Sequence, residues 1–61
     1  MTVNTSKGKI TSDKYTLNVI SIAFLEAAKQ FKDEGANALA NDYDRVSDEI
    51  YIALKEAGYY D

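Results

Sequence analysis

The stretch LNVISIAFLEAAKQF, from Leu17 to Phe31, is the longest apolar-rich run in the chain and limits most strongly what the chain can become. Stepping about 100° per residue places Ile20, Phe24, Ala27, Ala28 and Phe31 in one sector with Leu17. That spacing of three and four is the core stripe of an amphipathic helix. Tyr15, Val19 and Ile22 cluster on nearly the opposite side. A helix that is apolar on two sides needs two covers. In a short chain, one cover is expected to be a second copy, another protein, or the chain's own N-terminal arm.

The chain has 61 residues, enough for one domain. A domain of that size buries only about 60% of its unfolded surface and is marginal alone. Small folds are commonly reinforced by disulfides, a metal or oligomerisation. Cysteine and histidine are both absent, which removes disulfides and the usual zinc ligands. Self-association, or else very good helix packing, is the device that remains, and a homodimer is expected. There is no run of about 18 apolar residues to span a membrane. Residues 1–12 contain no apolar segment resembling a secretory signal, so a cytoplasmic location is expected.

The second half of the chain repeats the helical pattern. Ala36, Leu39, Tyr43, Val46, Ile50, Ala53 and Ala57 alternate in steps of three and four, a heptad-like seam. Leu54 broadens it, and Asn41, Asp44, Arg45, Asp48 and Lys55 form the opposite, solvated face. Thr11, Ser12 and Asp13 offer N-caps for the first helix, and Gly35 offers a C′ residue at its end. Gly58 would end the second helix with Leu54 at C3 and Tyr59 at C″, the apolar pair of a Schellman motif. The reading is all-α: a two-helix antiparallel hairpin over 12–61, with helix 1 at about 12–34 and helix 2 at about 37–57. Asn37 is a candidate cap for helix 2. A turn at Asn41-Asp42 and one helix continuous through Gly35 are the alternatives. Two such hairpins would dimerise into a four-helix bundle.

Residues 1–11 are expected to form a flexible N-terminal arm. Val3 and Ile10 are its only branched apolar side chains, too few to offset ordering costs of about 1–2 kcal/mol per residue. A short strand or hairpin is the alternative, because Thr2, Val3, Thr5, Ile10 and Thr11 favour strand and Ser6-Lys7-Gly8-Lys9 favours a turn.

The inventory for chemistry is thin. Without His or Cys the common nucleophile–base pairs are absent, and the three glycines are too scattered for a phosphate loop. Asp42 to Glu49 is acidic but fails the calcium-loop pattern: from Asp42 the fifth position is Val46, the sixth Ser47 and the twelfth Ala53. No catalytic, metal or cofactor site is expected, and the chain is not expected to be an enzyme.

Partner contacts are the remaining use of its surface. Tyr15, Val19, Ile22, Ile52, Tyr51 and Tyr59 are the candidate partner or dimer interface, given the enrichment of tyrosine at interfaces. The function this implies is a small non-catalytic protein–protein interaction module, a regulator or inhibitor of a protein partner. The alternative is a small dimeric nucleic-acid-binding regulator, with Lys7 and Lys9 as contacts. A strand-like arm before two helices has the order of ribbon-helix-helix repressors. In overall plan, with a capped hairpin and a short acidic tail, the chain also resembles the small Rop-type plasmid regulators. That likeness is architectural; it implies RNA contact along helix 1, where Lys14, Asn18, Lys29 and Lys32 lie, and carries no residue motif. Charge opposes both nucleic-acid forms: beyond Lys7 and Lys9, five basic side chains face ten acidic ones, and nucleic-acid affinity depends on neutralising phosphates.

Overall fold

The computed structural model describes residues 1–61, in the order β1 (Thr2–Thr5), β2 (Gly8–Thr11), α1 (Lys14–Asp33) and α2 (Asn37–Glu56). The two 20-residue helices are each about 30 Å long and pack as an antiparallel hairpin. A two-stranded sheet lies across one side of the pair.

Local chemistry sets the helix ends. Asp13 caps α1, accepting the Thr16 N–H and the Thr16 hydroxyl, each at 2.8 Å. These bonds to its ionised form hold the Asp13 carboxyl below the usual carboxylate value, the Thr16 amide contributing most. At the other end Gly35 takes φ +82°. The Ala36 N–H then reaches the Phe31 carbonyl (2.8 Å) and the Gly35 N–H reaches that of Lys32 (3.1 Å), which is a Schellman closure. Because Ala36 serves that closure, the chain turns directly into α2. Asn37 is therefore its first helical residue and not its cap, and Ala36 stands at the N-cap without a side-chain bond. The end of α2 repeats the motif. Gly58 takes φ +79°, and the Tyr59 N–H reaches the Leu54 carbonyl at 3.0 Å. Tyr59 packs against the core that contains Leu54.

The helices meet along small residues. Ser21 and Ala28 of α1 and Ala40 and Ser47 of α2 are each 5% exposed. The Ser21 hydroxyl donates to the Ser47 carbonyl at 2.9 Å, and the Ser47 hydroxyl donates to the Ser21 carbonyl at 2.7 Å. Fully buried Leu17, Ile50 and Leu54 fill one end of this seam. At the other end Tyr43 stacks between Phe24 and Phe31, with ring centroids 5.3 and 5.0 Å away.

This packing corrects the register expected for α2. The heptad positions facing α1 are Ala40, Tyr43, Ser47, Ile50 and Leu54. Leu39, Val46 and Ala53 form a second row turned toward the sheet. Val46 is buried and Ala53 half-buried, but Leu39 lies beyond the hairpin's tip and stays 43% exposed. Phe24 and Phe31 are accordingly half-buried at the rim and do not anchor the centre.

The flexible arm is likewise corrected. Residues 2–11 form an antiparallel hairpin with Val3 opposite Ile10 and Thr5 opposite Gly8. Its base is closed by the Ser12 N–H on the Met1 carbonyl (3.0 Å) and the N-terminal amine on the Ser12 carbonyl (2.9 Å). Gly8 supplies the φ of +131° after the two-residue turn. Val3 is 3% exposed and belongs to the core with Leu17, Val46, Ile50 and Leu54. Docked on helices, two apolar side chains suffice, because the strands order each other and share one buried face. The chain is therefore mostly helical, with a small sheet in place of the all-α plan.

Two outcomes follow from these contacts. Ser47→Ala removes one donor from a close seam and should lower stability by about 1 kcal/mol, whereas Ser47→Leu must push the helices apart and cost about 1–3 kcal/mol. Urea denaturation gives both values, and a stabilised leucine variant would show that the seam is loose. For Asp13, the depressed folded-state pKa means that its contribution is complete above the unfolded carboxylate value and is lost as pH falls through the folded value. Thermal melts in the acid range should therefore show wild type losing stability relative to Asp13→Asn, with the difference constant near neutrality.

Candidate interaction surfaces

The helix pair has two broad sides, and the sheet covers part of one. On the uncovered side, a groove of about 460 Å³ runs between α1 and α2. Ile22 and Leu25 line it from α1, Tyr51 from α2 and Tyr60 from the C-terminal turn, with Asp44 and Asp48 along the α2 wall. Farther along, Lys29 and Lys32 of α1 face Asn41 and Asp44 of α2 across a hollow of about 210 Å³. The groove thus has an apolar centre, a basic stretch on one helix and an acidic stretch on the other.

Of the six residues expected at an interface, Tyr15, Val19 and Ile22 stand exposed on α1, at 68%, 46% and 51%. Tyr51 shares the groove with Ile22. Tyr59 is half-buried against the core and serves the helix end. Ile52 is separated from the others: although 47% exposed, it lies beside β1 in a hollow with Thr2, Asn4, Glu49 and Glu56. The register of α2 explains this, since Ser47 faces α1 and the Ile52 position then turns toward the β1 edge.

Two residues of this surface stand outside the interface expected from the sequence. Leu25, 37% exposed, sits one step off the Val19–Ile22 side of the wheel and looked like neither core nor patch. Tyr60 lies past the helix end, where periodicity says nothing. Its hydroxyl donates to Asn18 Oδ1, and its ring stacks on Tyr51 and Tyr59 at 5.2 and 5.1 Å. The tail is thereby folded back onto α1. Desolvation first, then the neighbouring phenols of Tyr51 and Tyr59, raise the Tyr60 phenol above its usual value. A Tyr-Tyr pair just after a Schellman glycine was the one available signal.

Lys7 and Lys9 lie on the β-hairpin. Lys7 Nζ is 3.4 Å from Asp42 Oδ2, and the adjacent Ser6 donates its N–H (3.1 Å) and hydroxyl (2.8 Å) to Glu49 Oε1. The tip of the hairpin is thus held among carboxylates. Lys9 is exposed and makes no ion pair. No group of three or more acidic side chains converges as metal ligands, and no helix is long and apolar enough to cross a membrane. The chain matches no protein-family model, no curated protein and no solved structure.

Tyr60→Phe should free the tail from Asn18 while leaving the helices intact. In spectrophotometric titration the variant should lose a step above 10.0, the ordinary tyrosine value, and amide exchange should quicken over residues 58–61. Loss of a step at 10.0 rather than above it would place Tyr60 in solvent.

Proposed function

We propose that this chain is a small non-catalytic interaction module that self-associates through the uncovered side of its helix pair and presents its other side to a protein partner. The observation that carries this reading is an imbalance of surface. Nine of 61 residues are buried, and nine large apolar or aromatic side chains stand exposed. Exposed apolar residues scattered singly are ordinary, but Tyr15, Val19, Ile22 and Leu25 share one stretch of one helix, beside Tyr51 and Tyr60. Covering a side chain of this kind fully is worth about 1.5–3 kcal/mol, a large fraction of what a domain this small has in total.

Charge favours a second copy and selects its orientation. With a two-fold axis parallel to the helices, α1 of one protomer lies over α2 of its partner copy. Lys29 and Lys32 then lie over the partner copy's stretch at Asn41 and Asp44, and Ile22 lies near Tyr51. An axis across the helices stacks α1 on α1 and takes Lys29 and Lys32 away from Asp44. The first arrangement is a four-helix bundle whose two β-hairpins lie on its outer sides. A small regulator or inhibitor of a protein partner is the role that suits such a body.

The nucleic-acid alternative draws on the outward row Thr2, Asn4, Lys9 and Thr11 of the β-ribbon. It is opposed by Asp42 and Glu49, which flank the ribbon tip, where phosphates would have to sit.

Sedimentation equilibrium at micromolar concentration tests self-association. Wild type should be dimeric and Ile22→Glu monomeric, with a melting temperature that no longer depends on concentration. A monomeric wild type, or a dimer indifferent to both Ile22→Glu and Val19→Glu, would remove this reading. Binding that falls steeply with salt and is lost in Lys7→Ala/Lys9→Ala would establish the nucleic-acid alternative instead.

A further inference from the structure

The sheet covers only part of its side of the helix pair. Beyond the hairpin tip is a cavity of about 400 Å³, floored by Ile10, Phe24, Leu39, Tyr43 and Val46. That volume lies within the range of binding pockets. Leu39 is exposed there at 43%, although it continues the apolar row of Val46 and Ala53. The Lys7–Asp42 pair stands at the rim and Lys9 beside it.

The cavity adjoins an open sheet edge. Met1 and Ser12 exchange both backbone bonds. Hydrogen-bonded and non-hydrogen-bonded pairs alternate along an antiparallel ladder. In the observed register, Val3–Ile10 and Thr5–Gly8 are therefore the bonded pairs, and the backbone N–H and C=O groups of Lys9 and Thr11 point away from β1. β2 thus presents unpaired ladder groups beside an apolar cavity. The side chains sort by face: Ile10 turns inward with Val3, and Lys9 turns outward with Asn4.

From this juxtaposition we infer that the β2 edge binds an extended peptide segment of a partner protein, one that alternates apolar and acidic residues and adds as a third strand. Main-chain bonds to Lys9 and Thr11 supply affinity, and alternate side chains supply specificity. Residues opposite Lys9 face outward and are acidic, because Lys9 is the one unpaired cation on that edge. Residues between them face inward and are apolar, entering the cavity over Phe24, Leu39 and Tyr43. The β1 edge is equally open, but Glu49 and Glu56 flank it, so an acidic strand is repelled there. This assignment makes the partner of the proposed module a protein, while using a surface separate from the self-association groove.

The test is nuclear magnetic resonance titration of the isotope-labelled full chain, wild type and Ile22→Glu, with the capped peptide Glu-Leu-Glu-Phe-Glu-Leu. Shifts should centre on Lys9, Thr11, Phe24, Leu39 and Tyr43 in both proteins, so that this result stands or falls apart from dimerisation. N-methylation of the peptide's glutamates should weaken binding by at least about tenfold, as should Leu39→Glu, an exposed substitution whose retained fold is checked by circular dichroism. Ile52→Glu, at the other edge, should leave binding unchanged. A peptide with lysine for glutamate should lose the β2 site. The inference is overturned if the peptide does not bind, if the N-methylated or lysine peptide binds there equally well, or if the shifts fall on Tyr15, Val19 and Ile22. It is also overturned if decanoate shifts Phe24 and Leu39 and the peptide does not, since the cavity would then serve a small amphiphile.

Discussion

The reciprocal bonds between Ser21 and Ser47 set the geometry on which the rest depends. Each hydroxyl is buried, and a buried hydroxyl without a partner is costly. Here each serine reaches the backbone of the opposite helix. That is possible only where the helices approach closely, and Ala28 and Ala40 keep the approach open along the seam. The close contact fixes the rotation of α2, and its rotation decides everything outside the seam. Val46 and Ala53 turn to the sheet, Tyr51 turns to the far groove, and Ile52 turns to the β1 edge.

What holds the hairpin to the helices is apolar burial more than charge. The Lys7–Asp42 pair is exposed on both sides, and such pairs are worth only about 0–1 kcal/mol. Full burial of a valine is worth about 1.5–3 kcal/mol, and Val3 is nearly fully buried. The ion pair and the Ser6–Glu49 bonds orient the tip, and Val3 supplies the attachment. The sheet in turn covers the part of the helix pair that carries Leu17, Ile50 and Leu54, while the aromatic part around Tyr43 is left with a cavity.

The elements differ in how plainly the sequence announces them. Helix ends depend on local chemistry, and the cap at Asp13, the turn at Gly35 and the Leu54–Gly58–Tyr59 closure are all readable from adjacent residues. The β-hairpin was visible only as an alternative. Its strand and turn residues are present, but its stability comes from Val3 on α2, a contact that no local pattern contains. The register of α2 was right at Tyr43 and Ile50 and off elsewhere for a related reason. A hydrophobic count prefers Leu39 and Val46 to Ala40 and Ser47, whereas the seam between close helices needs small side chains. On the candidate surface, Tyr15, Val19 and Ile22 were legible from the wheel of α1 alone. Ile52 was misjoined because its position depends on that same rotation, and Tyr60 stayed outside the expected interface because the tail has no period to read.

The attachment of the sheet also orders events in time. α1 and α2 are joined by a short loop and form a contact of low sequence separation, the kind that forms fast. The hairpin is local as well, with a two-residue turn. Its docking is not: the Ser6–Glu49 bonds close over 43 residues. During synthesis at about 5–20 residues per second, β1 leaves the ribosome seconds before the helix that will cover Val3. Through that interval the valine and the open strand edges are available to other chains. Between Thr2 and Lys7 only Val3 is apolar, so the segment that waits longest for its cover exposes a single side chain that needs one.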